Sequence, residues 1–170
     1  EVSLVQLREK KLPARLLCDL TVEAAAITRG SATRLLVNDR ADIALAAKAD
    51  GVHLTARSLP TDVIRKSFTG DFIVGVSTHT LEAAIKASSD GADFIVFGPV
   101  FETLSKGEPK GLVKLTEVCE TLRPFPVLAL GGIDESNILS VLEAGASGFA
   151  AIRALNDPNS LRSICKPISL

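Results

Sequence analysis

The 170-residue chain contains no methionine, not even an initiator, and only three cysteines, Cys18, Cys119 and Cys165. The cysteines are odd in number and lack the spacing of a metal site or of a redox pair, which favours a reduced compartment. We therefore expect a cytoplasmic protein. Because methionine is missing and residue 1 falls in a strand-like segment, we also expect the native chain to begin upstream of residue 1.

Long apolar runs and an excess of either charge are lacking as well. No run approaches the roughly 18 apolar residues of a membrane-spanning helix, and no signal peptide precedes the first strand-like segment. The 19 Lys+Arg and 20 Asp+Glu leave a net charge of -1, which argues against partners such as nucleic acid or a membrane surface. With 46% hydrophobic residues the chain can bury one core, and we expect residues 1–170 to form a single domain.

Short β-branched segments alternate with longer segments rich in Ala, Leu, Glu and Lys. The predicted strands are Leu4–Leu7, Arg34–Val37, Gly51–Leu54, Phe72–Val76, Phe94–Phe97, Pro126–Leu130 and Gly148–Ile152. The predicted helices are Pro13–Arg29, Ala41–Ala49, Leu59–Lys66, Leu81–Ser89, Leu112–Leu122 and Glu135–Ala144. Repeats of about 20–25 residues are typical of the βα units of a parallel α/β sheet.

An open doubly wound sheet and a closed barrel both fit this alternation. The short, uniform units favour a TIM (β/α)8 barrel, and a barrel that lacks its first βα unit explains the strand-like start of the chain. Gly51, Gly91 and Gly145 each follow a predicted helix and precede a predicted strand. We predict that each is the left-handed residue that ends its helix.

In such a barrel, the C-terminal ends of the strands carry the chemistry. Gln6, Arg8 and Lys10 share one face of the first strand by period-two alternation, and the two cations fit an anion site. The alternative is a strand end that frays into solvent. Asn38 and Asp39 follow the second strand, either as turn residues before a helix or with the carboxylate holding a divalent cation.

Later strand ends are polar too. Ser77 could donate a hydrogen bond to a ligand oxygen, whereas a histidine between two apolar residues, His53, is more often structural. The long segment Gly98–Gly111 has hydroxyls and a lysine close together, which suits a phosphate, although a solvated loop is the alternative. These residues are Thr103, Ser105 and Lys106. The pair Gly131-Gly132 allows backbone amides to approach an anion before a helix.

Six motifs in this order resemble those of the thiamine phosphate synthase/TenI family, from Gln6 to about Leu155. They are Gln6-Leu7-Arg8-Glu9-Lys10, Asn38-Asp39, Ala49-Asp50-Gly51-Val52-His53-Leu54, Val74-Gly75-Val76-Ser77-Thr78-His79-Thr80, Gly98-Pro99-Val100-Phe101 and Gly131-Gly132-Ile133. The resemblance implies a (β/α)8 barrel whose first strand lies upstream of residue 1.

The resemblance also implies a transferase of thiamine biosynthesis. Such enzymes join hydroxymethylpyrimidine diphosphate to thiazole phosphate and release pyrophosphate with Mg²⁺ bound. By resemblance, the residues that hold the diphosphate are Gln6, Arg8, Lys10, Asn38 and Lys106. The resemblance implies that Asp39 is the metal ligand and that Ser77 helps to position the leaving group. The implied thiazole phosphate site contains Thr103, Ser105, Gly131 and Gly132. Among these, Arg8, Lys10, Ser77 and Lys106 are the implied catalytic residues.

Three positions depart from the family pattern. Ser58 stands where synthases have a second Asp ligand for Mg²⁺, and Arg153 replaces a Ser of the thiazole phosphate site, where it could still bind phosphate. Pro99 stands where TenI-type thiazole tautomerases have a catalytic His. The alternatives to a synthase are therefore a TenI-like tautomerase, or a regulator that binds thiazole or thiamine phosphate without catalysis. A homo-oligomer remains open, and an unrelated phosphate-binding barrel is disfavoured by the number of matching motifs.

Overall fold

A computed structural model describes residues 2–103 and 107–164. Within these residues the chain forms seven strands and eight helices, with a helix after every strand. The strands are β1 (Leu4–Leu7), β2 (Arg34–Asn38), β3 (Gly51–Leu54), β4 (Ile73–Thr78), β5 (Phe94–Phe97), β6 (Val127–Leu130) and β7 (Gly148–Ala150). The helices are α1 (Ala14–Thr28), α2 (Ala41–Ala46), α3 (Thr61–Ser67), α4 (Leu81–Ser89), α5 (Gly111–Leu122), α6 (Ile138–Glu143), α7 (Arg153–Asn156) and α8 (Pro158–Ile164).

The chain divides into two compact units. Among the described residues, the first contains 2–76 and 90–93, and the second contains 77–89, 94–103 and 107–164. In the first unit, β1, β2, β3 and the start of β4 pair in parallel, with Gln6 opposite Leu36 and Val52 opposite Val74. In the second unit, β5, β6 and β7 also pair in parallel, with Ile95 opposite Val127.

Most residues of β2, β3, β4 and β5 are buried, as expected for parallel strands covered by helices, whereas β1 and β7 contain only half-buried and exposed residues. All four residues of β3 and all four of β5 are buried. In the first unit Leu17 of α1 and Ile64 of α3 are among the buried helix residues, and in the second unit Leu115 of α5 is fully buried. Each such apolar side chain stabilises its unit by about 1.5–3 kcal/mol.

The turns between helices and strands follow the prediction at two of three places. Gly91 and Gly145 have φ values of 94° and 92°, in the left-handed region. The prediction for Gly51 is wrong, because Lys48 takes the left-handed conformation there with φ 56°. Gly51 begins β3, where an added Cβ would lie 2.0 Å from the carbonyl oxygen of Ile73. This glycine is therefore required by the close approach of two strands, not by helix termination.

The start of α6 also differs from the prediction. The helix begins at Ile138, not at Glu135. Asp134 Oδ1 accepts a hydrogen bond from the Ser136 amide at 2.9 Å, and Asn137 Oδ1 accepts one from the Asp134 amide at 3.1 Å. These side chains satisfy backbone donors in a turn, which competes with the first helical turn. None of the helices formed by the described residues is long and apolar enough to cross a membrane.

Candidate functional site

In the first unit, five polar residues at or just after the C-terminal ends of β1, β2 and β3 form a hydrogen-bonded group, which we call the polar cluster. Its members are Gln6, Asn38, Asp39, Thr55 and Ser58. The Gln6 side-chain amide donates to Asn38 Oδ1 at 3.1 Å, and Asn38 Nδ2 donates in turn to Asp39 Oδ2 at 2.7 Å. The register of β1 with β2 pairs Gln6 with Leu36, two residues before Asn38 in the same strand. Gln6 therefore reaches Asn38 and its neighbour Asp39 across 32 positions of the chain.

The backbone of Asp39 is in the left-handed region, with φ 61°. This conformation costs a non-glycine residue about 1–2 kcal/mol, although Asp and Asn tolerate it best. The Asp39 amide donates to the carbonyl oxygen of His53 at 3.0 Å, which fixes the residue against the end of β3. The carboxylate is thereby held at the strand ends.

Two hydroxyls donate to the other oxygen of the same carboxylate. Asp39 Oδ1 accepts a short hydrogen bond from Ser58 Oγ and one of 3.2 Å from Thr55 Oγ1. Ser58 Oγ also accepts a hydrogen bond from the Thr55 amide at 2.6 Å. Ser58, where the family pattern has a carboxylate, is therefore a direct hydrogen-bond donor to Asp39.

His53 of β3 pairs in register with Asn38 of the polar cluster and is only 7% exposed. Burial is the main cause that lowers the pKa of His53 to about 4; the Asp39 carboxylate opposes the shift and the Arg8 cation adds to it. Because burial disfavours the charged form, the ring is neutral at pH 7.

Arg8 and Lys10 come after the end of β1, so the predicted strand alternation does not extend to them. Both side chains are exposed. Within residues 2–103 and 107–164 neither cation enters an ion pair, which leaves both able to meet an anion from solvent.

In the second unit, backbone hydrogen bonds fix a segment that we call the loop base, residues 98–101 with 110 and 111. Val100 and Phe101 donate to the carbonyl oxygens of Leu130 and Gly131 at 2.8 and 3.0 Å. On the other side, the amides of Lys110 and Gly111 donate to the carbonyl oxygens of Pro99 and Val100 at 2.8 and 3.0 Å. The two ends of the long predicted loop are thus joined to each other and to the end of β6.

Glycines allow the backbone of the loop base to lie close to the end of β6. A Cβ on Gly98 would lie 1.9 Å from the Leu130 carbonyl oxygen, and one on Gly131 would lie 2.6 Å from Pro99. A Cβ on Gly132 would lie 2.6 Å from the Glu102 carbonyl oxygen. Gly131 and Gly132 also have φ values of 105° and 65°. These contacts explain the two glycines by packing, and their predicted anion contact stays a prediction.

The other predicted residues of the second unit are more dispersed in the chain. Ser77 is half-buried near the end of β4, and Thr103 follows the loop base by two residues. Arg153 is exposed at the first residue of α7. Ser105 and Lys106 lie outside the described residues.

Comparison with known proteins assigns the family. A family model described as thiamine monophosphate synthase matches residues 1–155. This chain belongs to the thiamine monophosphate synthase family. The predicted resemblance is confirmed.

Individual members of the family are similar over most of the chain. A thiamine-phosphate synthase from Roseiflexus castenholzii is 42% identical over 168 residues, which cover 95% of this chain and 73% of that protein. One from Methanoculleus marisnigri is 40% identical over 154 residues, with coverage of 89% and 72%. The solved thiamine phosphate pyrophosphorylase from Pyrococcus furiosus is 34% identical, with a TM-score of 0.85 and coverage of 95% of this chain and 78% of that chain.

The fold extends beyond the family. A solved 3-hexulose-6-phosphate synthase superposes on 95% of this chain and 86% of its own with a TM-score of 0.73 at 20% identity, a likeness of fold alone. Together with the parallel strands in chain order, these likenesses confirm the predicted TIM-barrel class of α/β fold.

The family pattern raises the question of whether these residues fit Mg²⁺. The described residues contain no group of three or more His, Cys, Asp or Glu that could enclose a metal ion. Asp39 Oδ2 accepts only the Asn38 amide among the contacts above, so it retains a lone pair for a cation. Since Mg²⁺ is commonly bound through one or two carboxylates, water and substrate phosphates, Asp39 fits as a single protein ligand of an ion completed by a diphosphate.

Two residues of the site escaped sequence reasoning. Thr55 is a partner of Asp39, and its only signal was a hydroxyl directly after a buried strand. His79, one residue after β4, forms a short hydrogen bond through Nδ1 to the carbonyl oxygen of Gly98. Its neighbour Thr80 caps α4, since Thr80 Oγ1 accepts a hydrogen bond from the Ala83 amide at 3.2 Å.

Proposed function

We propose that this chain is a thiamine-phosphate synthase, a transferase that joins hydroxymethylpyrimidine diphosphate to thiazole phosphate and releases pyrophosphate. The observation that supports the proposal most is the hydrogen-bonded polar cluster around Asp39, in a chain 42% identical to the thiamine-phosphate synthase of Roseiflexus castenholzii. We further propose that residues 1–170 act as one domain and that the reaction takes place in the cytoplasm.

The departure of pyrophosphate determines what the protein must supply. The carbon–oxygen bond of the pyrimidine diphosphate breaks more easily when negative charge on the leaving group is neutralised. In our proposal Arg8, Lys10 and Lys106 provide cations for this purpose, Ser77 donates a hydrogen bond, and Gln6 and Asn38 orient the diphosphate.

Mg²⁺, when bound, supplies further positive charge to the leaving diphosphate. Asp39 would be its protein ligand, and Asn38, which donates to Asp39 Oδ2, would orient the carboxylate. Such outer hydrogen bonds commonly set the direction of a metal ligand.

The second substrate needs only to be held near the reacting carbon. We propose that Thr103, Ser105, Gly131, Gly132 and Arg153 bind the phosphate of the thiazole. Arg153 brings a charged group to a position where the family pattern has a hydroxyl, which would favour a doubly charged phosphate. Positioning of this kind lowers the entropic barrier of a two-substrate reaction.

A second candidate function follows from Ser58. Because Ser58 adds a hydroxyl and no charge beside Asp39, the cluster also suits a protein that binds thiazole phosphate or thiamine phosphate without transfer chemistry. The tautomerase alternative lacks this support, since Pro99 has no side-chain proton to transfer.

The test is pyrophosphate release by the full-length protein with both substrates, first with Mg²⁺ and then with EDTA. We expect release that EDTA abolishes, and a decrease on the order of 100-fold in Asp39→Asn, because the carboxylate charge is lost while the backbone conformation is tolerated. The matched control is Asp19→Asn on the exposed surface of α1, which should retain full activity.

Binding of thiazole phosphate without any pyrophosphate release would overturn the synthase proposal and favour the binding protein. If EDTA leaves pyrophosphate release unchanged, the proposal of a synthase stands, but Asp39 does not act as a metal ligand.

A further inference from the structure

We propose that His79 is a positioning residue for the thiazole phosphate site, because its ring holds the loop base from which Thr103 extends. This inference rests on the proposed function for the identity of the ligand. The hydrogen-bond geometry itself is independent of that proposal.

Gly98 is held through both of its backbone polar groups. His79 Nδ1 hydrogen-bonds to the Gly98 carbonyl oxygen, and the Gly98 amide donates to the Thr78 carbonyl oxygen at 3.3 Å. Both polar groups of Gly98 are thus fixed to the end of β4. Because a carbonyl oxygen can only accept, Nδ1 carries the proton, and in the neutral ring the lone pair is on Nε2.

The contact with Gly98 is continuous with the rest of the loop base. Pro99 and Val100 follow directly, and their carbonyl oxygens accept from Lys110 and Gly111. The Val100 amide donates to Leu130 at the end of β6. All of these are backbone hydrogen bonds, and the His79 ring adds a side-chain contact between the residue after β4 and this set.

A shift of Gly98 cannot remain local. The space beside Gly131 is filled by Pro99, and the space beside Gly132 is filled by Phe101 and Glu102. Close packing of this kind transmits displacements, because there is no void to absorb them. Loss of the His79 contact would therefore move both the start of the loop that contains Thr103 and the Gly131-Gly132 pair.

The position of His79 suits a role in orienting the loop base and not in stabilising the core. The side chain is exposed, so its replacement leaves no cavity in a packed core. Asn places a side-chain amide where His has Nδ1 and can donate the same hydrogen bond, whereas Leu has similar bulk and no donor. The pair His79→Leu and His79→Asn therefore separates the hydrogen bond from the volume of the ring.

The first measurement is amide hydrogen exchange of the full-length protein without substrate. In His79→Leu we expect the amides of Val100, Phe101, Lys110 and Gly111 to exchange faster than in the wild type, and in His79→Asn we expect the wild-type rates. Unchanged exchange in His79→Leu overturns the proposal, whatever the protein catalyses.

The second measurement is the affinity for thiazole phosphate by calorimetry and, with turnover, the KM for each substrate. We expect His79→Leu to weaken thiazole phosphate binding by about 2- to 12-fold, the range for one hydrogen bond, while kcat and the KM for the pyrimidine diphosphate change by less than about 2-fold. His79→Asn should restore the affinity. An equal loss in both variants, or an equal rise in both KM values, would contradict the proposal.

Thr80→Ala provides the matched control. It removes the cap of α4 next to His79 and should lower the thermal stability without changing exchange at the loop base or thiazole phosphate affinity. If the wild type neither releases pyrophosphate nor binds thiazole phosphate, the proposed function fails, and the exchange rates alone decide whether His79 holds the loop base.

Discussion

The polar cluster of the first unit and the loop base of the second are built from different kinds of contact. Around Asp39, the hydrogen bonds join side chains, from Gln6 to Asn38 and from Ser58 to the carboxylate. At the loop base they join mainly backbone groups, with the His79 ring as the side-chain partner of Gly98, and the close approach to the end of β6 depends on glycines.

The two regions should therefore respond to different changes. The polar cluster depends on charge and donor groups and should respond to pH, to cations and to isosteric substitutions. The loop base depends on volume and should respond to a single added methyl group. Three substitutions or changes of condition distinguish the two regions.

Adding one methyl group at the loop base should have the largest effect on stability. In Gly98→Ala the new Cβ would meet the Leu130 carbonyl oxygen at 1.9 Å, so the backbone must move. We expect a loss of about 3 kcal/mol or more in the free energy of unfolding, measured by urea denaturation. Gly107→Ala, with no atom within 4 Å of the added Cβ, is the control and should be nearly neutral. Equal losses in the two variants would mean that the loop base is not tightly packed.

The second-largest expected effect is a pH dependence of the protein's stability, which arises from the titration of His53. Its pKa is lowered to about 4 in the folded protein. The unfolded chain, with an ordinary histidine pKa of about 6.5, therefore binds more protons between these values, and stability falls as the pH falls through this range. We expect a contribution of about 2 kcal/mol to be lost between pH 7 and pH 5.

Urea unfolding at both pH values checks this expectation in the wild type and in His53→Gln. The variant has no titrating ring and should show a smaller difference between pH 7 and pH 5. If both proteins show the same difference in stability, groups other than His53 cause the pH dependence.

The smallest effect concerns cation binding at the polar cluster. Ser58→Asp places a second carboxylate beside Asp39, where the wild type has only a hydroxyl. We expect Mg²⁺ binding without substrate to tighten by about 10-fold, and stability without Mg²⁺ to fall slightly through repulsion of like charges.

Calorimetric titration with Mg²⁺ measures the first effect and thermal unfolding the second. Ser58→Asn, which adds similar bulk without charge, is the control and should bind Mg²⁺ no more tightly than the wild type. Equal affinity of the Asp and Asn variants would remove the electrostatic explanation.

Much of the fold was predictable because its signals are local. Strands β1, β3 and β5 have the predicted boundaries, and the long helices agree to within a few residues. The errors came from competing local chemistry, as at Asp134 and Asn137, whose side chains delay the start of α6. At Gly51 the error came from a neighbouring strand, which a local pattern does not contain.

The order of apolar and polar residues over a few positions was enough to predict the repeating βα units, most buried strands and the polar residues at their ends. Which of those polar residues contact one another became visible only in the folded chain. Ser58 reaches Asp39 across 19 positions of the chain, and His79 reaches Gly98 across another 19. Such partners depend on strand register and loop path, which arise from the packing of the whole unit and not from any local pattern.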